Sequence, residues 1–163
     1  MSGSEMFRAY IGLGANLGDA PATLRRAIAT LDRIPGIHVV ARSSLYRSAP
    51  VDAEGPDFIN AVVAVDTGLE ATALLHAMQS VEAGEGRERP YLHAPRTLDL
   101  DLLAHEQTVL NTTELTLPHP RMHLRAFVLK PLAEIAPGFH IPGRGPVAHC
   151  LEEVSAQKIE VLP

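Results

Sequence analysis

Two aspartates, Asp99 and Asp101, stand two residues apart in the leucine-rich segment Arg96–Leu103. Side chains alternate between the two faces of a β-strand, so a strand would place both carboxylates on one face and the neighbouring leucines on the other. In a helix the same spacing would separate the carboxylates by roughly 200° around the axis, which does not suit a shared ligand. Hard carboxylate oxygens on one face suit Mg²⁺. The spacing therefore predicts a strand that carries a metal site.

Arginines lie close upstream of these aspartates, at positions 87, 89 and 96. Carboxylates for a metal beside arginines for phosphate form the combination that phosphoryl transfer requires. Each feature alone also has an ordinary explanation, because alternating Asp and Leu occur on solvated strands and arginine keeps loops soluble. The segment Gly84–Pro95 contains two glycines and two prolines, so we expect a mobile loop there.

The composition is that of an ordinary globular protein, and we expect one catalytic domain over residues 1–163. The hydrophobic fraction is 46%, the charged fraction is 20% and the net charge is −5, so no basic surface favours nucleic acid. Cys150 is the only cysteine, which fits a reducing cytoplasm. Met1–Met6 is short and polar, and no apolar run approaches the roughly 20 residues of a membrane span. We therefore expect a cytoplasmic protein without a membrane segment. No exposed apolar helix stripe is left over, which favours a monomer.

Hydrophobic periodicity and the positions of Gly and Pro predict the elements that carry these residues. Strands are predicted over Phe7–Leu13, Ile37–Arg47, Phe58–Thr67 and Thr97–Ala104, and helices over Ala20–Ile34 and Glu70–Gly84. The order β-α-β-β-α-β is typical of the split βαβ arrangement. We therefore predict an α+β fold, a ferredoxin-like antiparallel sheet with helices packed on it and extra helical segments towards the C-terminus.

The first predicted strand ends in a segment with three glycines, Gly12, Gly14 and Gly18. Their spacing does not match the dinucleotide-binding fingerprint, and no Gly-Lys-Ser/Thr of a phosphate-binding loop is present. We interpret them as turn glycines, followed by Asp19 as the N-cap of the first helix.

Outside these elements the local signals are weaker. Ser48–Asp57 is predicted to be a loop and Gln107–Leu110 a short hairpin arm. Leu124–Ile135 is predicted to be a helix interrupted at Pro131. Regular signals are poor from Pro137 onward, apart from a possible short helix near Val147–Val154.

Several segments in a fixed order resemble one family. They are YIGLGANLG from Tyr10, SLYRSAP from Ser44, PDFINA from Pro56, QxxE from Gln79, GRxR from Gly86, PRTLDLD from Pro95, LPHPRM from Leu117 and RAF from Arg125. Together they resemble 6-hydroxymethyl-7,8-dihydropterin pyrophosphokinase of folate biosynthesis over about residues 7–137. The resemblance implies a ferredoxin-like fold and transfer of diphosphate from ATP to the pterin hydroxymethyl group, which releases AMP.

The resemblance also implies roles for individual residues. The catalytic group would be Arg89, Arg96, Asp99 and Asp101, with two Mg²⁺ ions on the two aspartates. The ATP site would comprise Gln79, Glu82, Arg87, Arg89, Arg96, Thr116, His119 and Arg125. The pterin site would comprise Ser48, Ala49, Val51, Phe58, Asn60, His93, Asp99 and Phe127. His119 would donate to phosphate rather than act as a base, and Phe127 would stack on the pterin unless it is ordinary core.

The chain departs from the family pattern at three positions. It has no tryptophan, and His93 stands where some members stack a loop tryptophan on the pterin. Glu114 stands where some have an arginine that reaches the nucleotide, and Pro120 where some have a tyrosine. These differences concern affinity and loop closure rather than the reaction.

Two other functions are compatible with parts of the pattern. Another metal-dependent phosphoryl transferase or phosphohydrolase would explain the aspartates and arginines but leave Asn60 and Phe127 as core. A ferredoxin-like ligand-binding or regulatory module would need neither the aspartates for activity nor three arginines near them.

Overall fold

The computed structural model describes residues 5–49, 55–86 and 98–163. In chain order the elements are β1 Phe7–Ala15, α1 Ala20–Arg33, β2 Ile37–Arg42, β3 Tyr46–Ser48, β4 Phe58–Thr67, α2 Ala71–Gly86, β5 Asp99–His105, β6 Leu110–Asn111, β7 Thr116–Leu117, a 3₁₀ helix Met122–Leu124, α3 Ala126–Ile135, β8 His140–Ile141, β9 Gly145–Pro146, α4 Val147–Glu153 and β10 Glu160–Val161.

The main sheet has the strand order β10-β3-β4-β1-β5. Strand β3 pairs with the first residues of β4, and β2 pairs with its last residues. Neighbouring strands are antiparallel throughout. The long strands β1 and β4 occupy the centre, which explains why nearly every residue of β4 is buried. The predicted α+β, ferredoxin-like arrangement is confirmed.

Helices α1 and α2 pack on one face of the sheet. On this face the alternate residues Ile11 and Leu13 of β1 meet Leu24 and Leu31 of α1 in a continuous core. Asp19 begins α1 as predicted, because its side chain accepts a hydrogen bond from the Ala22 N–H at 3.2 Å. This core fixes which residues of β1, β4 and β5 face away from the two helices.

The second face is covered by α3, and α4 packs against α3 and the 3₁₀ helix. Apolar side chains of both helices form one cluster with Tyr10, Val62 and Leu103, and the Tyr10 and Phe139 rings lie 4.8 Å apart. Along β4 this cluster ends at Val62 and does not include Asn60, the next residue on the same face. One end of this face therefore carries the polar residues described in the next section.

The structure corrects the predicted second strand, which is two strands. The segment Ile37–Arg47 breaks after Arg42, and β2 and β3 both pair with β4. At the break the Ser43 hydroxyl accepts the Val62 N–H at 3.0 Å, so a side chain replaces a backbone partner. A pattern of apolar residues does not reveal such a substitution.

Three predictions about the helices also differ from the structure. Helix α2 continues to Gly86 and thus takes up the first residues of the predicted loop. Helix α3 begins at Ala126 rather than Leu124, because Arg125 has extended backbone angles (φ −124°, ψ 109°). Pro131 does not interrupt α3, since it is buried in the second core, where packing outweighs the loss of one backbone hydrogen bond.

The region after Pro137 is more ordered than predicted. It contains the β8–β9 hairpin, α4 at the predicted place and β10, which extends the main sheet. The Leu162 N–H donates to the Leu45 carbonyl at 2.8 Å, and Arg47 pairs with Glu160 at 2.9 Å. The predicted hairpin arm is displaced, because Leu110–Asn111 pairs with Thr116–Leu117. These short strands are defined by distant partners, which local patterns do not indicate.

Within residues 5–49, 55–86 and 98–163, none of the helices combines the length and the apolar character that crossing a bilayer requires.

Glu134 joins helix α3 to the strand segment around β3. Its carboxylate accepts hydrogen bonds from the Tyr46 hydroxyl at 2.6 Å, from the Ser44 hydroxyl at 3.0 Å and from the Ser44 N–H at 3.1 Å. Partial burial acts to raise the pKa of Glu134, but these hydrogen bonds outweigh it and the pKa is lowered. The ionised form is therefore favoured by folding, and its contribution is lost as the pH falls through the lowered value.

We predict that Glu134→Gln lowers the free energy of unfolding by about 1 kcal/mol at pH 7, a modest value because solvent screens the exposed carboxylate. The difference from the unmodified protein should shrink as the pH falls below the usual carboxyl range. Urea denaturation at a series of pH values measures this, with Glu152→Gln on the exposed side of α4 as the control. A difference that is independent of pH would contradict the assignment.

Candidate active site

The register of β4, β1 and β5 brings the predicted polar residues into one row. Gly14 pairs with Asn60 on one side and with Asp99 on the other, and Gly12 pairs with Asp101. Residues directly opposite each other in an antiparallel ladder point to the same face. Asn60, Asp99 and Asp101 therefore lie on the face that α1 and α2 leave free.

The alternation predicted for the aspartate strand is present. Leu98, Leu100 and Leu102 are buried in the core beneath α1 and α2. Asp99 is partly buried, and the Asp101 side chain is 46% exposed. Both carboxylates are thus accessible from the same side of the sheet.

The interpretation of Gly12 and Gly14 as turn glycines is wrong. Both lie inside β1, and only Gly18 has a turn conformation, with φ +59°. A Cβ atom added to Gly14 would lie 3.4 Å from the Asn60 Oδ1 atom. The missing side chains thus leave a gap between Asn60 and the aspartates. The period-two spacing Gly-x-Gly in an apolar strand was the signal that could have indicated this.

Asn60 is one of the few buried polar side chains, with an exposure of 4%. Its Nδ2 atom donates to the Ser48 hydroxyl at 2.7 Å, and Ser48 is also buried. Ser48 lies in β3 rather than in the predicted loop, directly opposite the partly buried Phe58. The adjacent Ala49 is exposed. The structure thus brings Ser48 and Asn60 together, at the end of the row that Gly14 connects to Asp99.

His119 lies beside the aspartate strand. Its backbone N–H donates to the Leu103 carbonyl at 2.9 Å, and its Nε2 atom is 3.8 Å from the Asp101 Oδ1 atom. The Nδ1 atom accepts the Arg121 N–H at 3.1 Å, so the neutral ring carries its proton on Nε2, towards Asp101. Burial lowers the pKa of His119; nearby Asp101 opposes the shift, while Arg125 and Arg121 add to it. At neutral pH this imidazole is an uncharged donor.

Arg125 and Phe127 lie at the start of α3. The Arg125 guanidinium carbon is 5.4 Å from the centroid of the Phe127 ring, within the range of a cation–π contact. Phe127 packs against the second core but remains partly exposed. The ring therefore contributes to the core and is also accessible in part; its stacking on a pterin stays a prediction.

The residues predicted to bind the nucleotide from α2 and β7 lie outside the row of polar residues. Gln79 is exposed on α2, and Thr116 is partly exposed on β7. Glu82 accepts the Leu100 N–H at 2.8 Å, so it contacts the outer edge of β5 between the two aspartates. The Glu114 Oε2 atom lies 2.5 Å from the His76 Nε2 atom, so the Glu114 carboxylate has a hydrogen-bond partner within the chain.

Five predicted site residues lie outside the described residues: Val51, Arg87, Arg89, His93 and Arg96. In the described part of the chain, no group of three or more His, Cys, Asp or Glu side chains is arranged to hold a metal ion. Asp99 and Asp101 are thus a two-carboxylate donor set, which matches the few protein ligands that Mg²⁺ commonly takes.

Residues 10–137 match the family model described as 7,8-dihydro-6-hydroxymethylpterin-pyrophosphokinase (HPPK). The chain belongs to this family. A 2-amino-4-hydroxy-6-hydroxymethyldihydropteridine pyrophosphokinase of Methylorubrum extorquens is 48% identical over 139 residues, 85% of this chain and 88% of the relative. Its namesake in Pseudomonas aeruginosa is 40% identical over 96% of this chain and 97% of the relative. The predicted pyrophosphokinase of folate biosynthesis is thereby confirmed at the level of the family.

Solved HPPK structures confirm the fold. The crystal structure of a Plasmodium falciparum HPPK-DHPS triple mutant with SDX-DHP superimposes with a TM-score of 0.78 over 93% of this chain, at 13% identity. This chain covers 45% of that longer one. The likeness therefore concerns the fold of the HPPK family, and the individual residue roles in this chain remain predictions.

Ser48 provides a test of the polar site in the absence of ligand. We predict that Ser48→Ala lowers the free energy of unfolding by about 1–3 kcal/mol, because it leaves the buried Asn60 amide without its acceptor. Urea denaturation measures this, with Ser80→Ala on α2 as the matched control, since the Ser80 hydroxyl is exposed and bonds only within its helix. Equal stability of the two variants would contradict the assigned hydrogen bond.

Proposed function

We propose that this chain transfers the β,γ-diphosphate of ATP to the hydroxymethyl oxygen of 6-hydroxymethyl-7,8-dihydropterin. The pterin oxygen forms a bond to the β-phosphorus, the bond between that phosphorus and the α,β-bridging oxygen breaks, AMP leaves, and the hydroxyl proton is released. The observation that carries this proposal is the row Asn60–Gly14–Asp99 with Asp101 and His119 beside it. The row provides a polar amide for a flat heterocycle. Next to it lie carboxylates that suit a metal ion and an imidazole donor that suits a polyphosphate.

Asp99 and Asp101 would hold Mg²⁺. Their donor chemistry fits this ion, because both are hard oxygen ligands on one accessible face and no soft sulfur or imidazole cluster competes among the described residues. When bound, magnesium would neutralise the charge of the triphosphate and orient it.

The phosphate-binding roles go to the side chains beside the aspartates. His119 is held as a neutral donor by burial and by the Arg121 N–H at Nδ1, so it can donate from Nε2 without exchanging a proton. Arg125 supplies a fixed positive charge at the start of α3. Donors that are already oriented stabilise developing charge without reorganisation during the reaction. The resemblance adds Arg87, Arg89 and Arg96, along with Gln79, Glu82 and Thr116.

The pterin site is proposed at the Asn60 end of the row. The Asn60 amide offers a donor and an acceptor, and Ser48 fixes its orientation through the 2.7 Å hydrogen bond. Phe127 offers an aromatic face of the kind on which a planar ring stacks. Ala49 and Phe58 lie close along the chain, and the resemblance adds Val51 and His93.

We further propose that the chain acts as a monomer in the cytoplasm, on small molecules alone. The free, buried thiol of Cys150 supports a reducing compartment, and the acidic net charge supports action on small molecules rather than on nucleic acid.

Product analysis tests the proposed reaction. The purified protein is incubated with ATP, Mg²⁺ and 6-hydroxymethyl-7,8-dihydropterin, and the nucleotides and pterins are separated. We expect AMP and a pterin diphosphate in equal amounts. ADP, or phosphate without a modified pterin, would indicate another phosphoryl transfer. Absence of nucleotide turnover in folded protein would indicate a binding module.

The aspartates provide the prediction for the metal. We expect Asp99→Asn and Asp101→Asn each to lower kcat by roughly 10²-fold or more while leaving the fold intact, because each removes a charged ligand. Steady-state rates over a range of Mg²⁺ concentrations measure the effect. Asp66→Asn is the control, since Asp66 pairs with Arg8 at the other end of β4. Near-normal rates at saturating Mg²⁺ would refute the metal assignment.

A further inference from the structure

Gln157, in the turn after α4, holds the backbone on both sides of Arg125. Its Nε2 atom donates to the Leu124 carbonyl at 2.8 Å, and its Oε1 atom accepts the Ala126 N–H at 2.9 Å. The Gln157 backbone is itself fixed, because its N–H donates to the Val154 carbonyl at 2.9 Å. One exposed side chain thus spans the residue before and the residue after Arg125.

This contact has a local cause in the way α3 begins. The first N–H groups of a helix have no partner within the helix, and Ser, Thr, Asp or Asn at the N-cap usually supplies one. The N-cap of α3 is Arg125, whose side chain has no acceptor and makes no capping hydrogen bond. Gln157 supplies the missing acceptor from 31 positions further along the chain.

The same contact holds the backbone from which the Arg125 side chain extends. Arg125 connects the 3₁₀ helix to α3, and its own carbonyl accepts the N–H groups of Val128 and Leu129 at 3.0 Å each. Its extended backbone conformation (φ −124°, ψ 109°) is held between two elements by Gln157 on either side. The Arg125 guanidinium lies over the Phe127 ring and is close enough to His119 to contribute to the lowering of its pKa.

We propose that Gln157 is a positioning residue for nucleotide binding, which acts by fixing the backbone of Arg125. This inference rests on the proposed role of Arg125 at the ATP phosphates. A guanidinium that is already in place loses less conformational freedom on binding phosphate, so its contribution to affinity is larger. The proposal also gives a role to the C-terminal segment, since Gln157 lies beyond residues 10–137 that match the family model.

The test compares Gln157→Ala with the unmodified enzyme. We expect KM for ATP and the Kd of a non-hydrolysable ATP analogue to rise about fivefold to tenfold, with kcat and KM for the pterin changed less than about twofold. Hydrogen exchange of the Ala126 amide should become faster. Gln157→Met keeps the length of the side chain and removes only its hydrogen-bonding groups, so it should give the same result.

Gln107→Ala is the matched control. Gln107 is also an exposed glutamine that donates to a distant backbone carbonyl, that of His140 at 3.0 Å, but it does not contact the Arg125 segment. We expect its ATP constants and its Ala126 exchange rate to be unchanged. If Gln107→Ala weakened ATP binding to the same extent, the effect of Gln157→Ala would not be specific to its contact with the Arg125 segment, and the proposal would be overturned.

A double-mutant cycle separates this inference from the proposed function. Arg125→Ala should weaken binding of the ATP analogue, and adding Gln157→Ala to it should have almost no further effect, because the residue that Gln157 positions is absent. Additive effects would overturn the positioning role alone. Normal ATP binding by Arg125→Ala would overturn both the role of Arg125 and the positioning role. If the unmodified protein bound ATP but formed no pterin diphosphate, the proposed transfer would be refuted and the positioning role of Gln157 in ATP binding would not.

Discussion

The antiparallel ladder β4-β1-β5 is the constraint on which the rest of the structure depends. Its register places Asn60, Gly14 and Asp99 side by side, and Gly12 beside Asp101. The alternation of a β-strand then sends these residues to one face and their apolar neighbours into the core. A shift of one residue in the β1–β5 pairing would bury the aspartates and expose Leu100 and Leu102, and the same shift in the β4–β1 pairing would move Asn60 to the opposite face. The site and the core therefore depend on the same hydrogen bonds.

The two faces of the sheet are covered unequally, and this difference provides the space for a ligand. Helices α1 and α2 complete the core on one side, whereas α3, backed by α4, covers the other side only near Tyr10, Val62 and Leu103. The polar row lies beyond the covered part, and His119, Arg125 and Phe127 come from the segment that borders it. The residues proposed for phosphate and for pterin therefore share one surface, as transfer between two bound molecules requires.

Contacts from distant parts of the chain hold this surface in place. Glu82 binds the backbone of β5 between the two aspartates, Ser48 holds the Asn60 amide, and Gln157 holds the start of α3. In each case a side chain forms a hydrogen bond with a polar group that would otherwise be incompletely paired. That polar group belongs to a proposed binding residue or to its neighbour in the chain. Satisfying the polar groups of the fold and orienting the site are here the same physical requirement.

Local patterns in the sequence determined most of the secondary structure, because amphipathic periods and turn residues act over a few positions. Ala20–Arg33, Phe58–Thr67 and the alternation around Asp99 and Asp101 follow from those patterns alone, and the ordered motifs were sufficient to indicate the family. Local patterns failed at Ser43, Arg125 and Pro131, where a side chain, an extended residue or burial changes an element through distant contacts. Gly12 and Gly14 were interpreted as turn residues, although both lie in β1.

Only the tertiary structure decided which of these residues meet. The neutral donor state of His119 depends on burial and on the groups around it, and the capping of α3 depends on Gln157, which lies 31 positions away from Ala126. Hydrogen bonds and electrostatic interactions act over a few ångströms in space regardless of separation along the chain. The sequence by itself therefore determined the chemical groups and the local elements, and the packing of the sheet and helices determined the site.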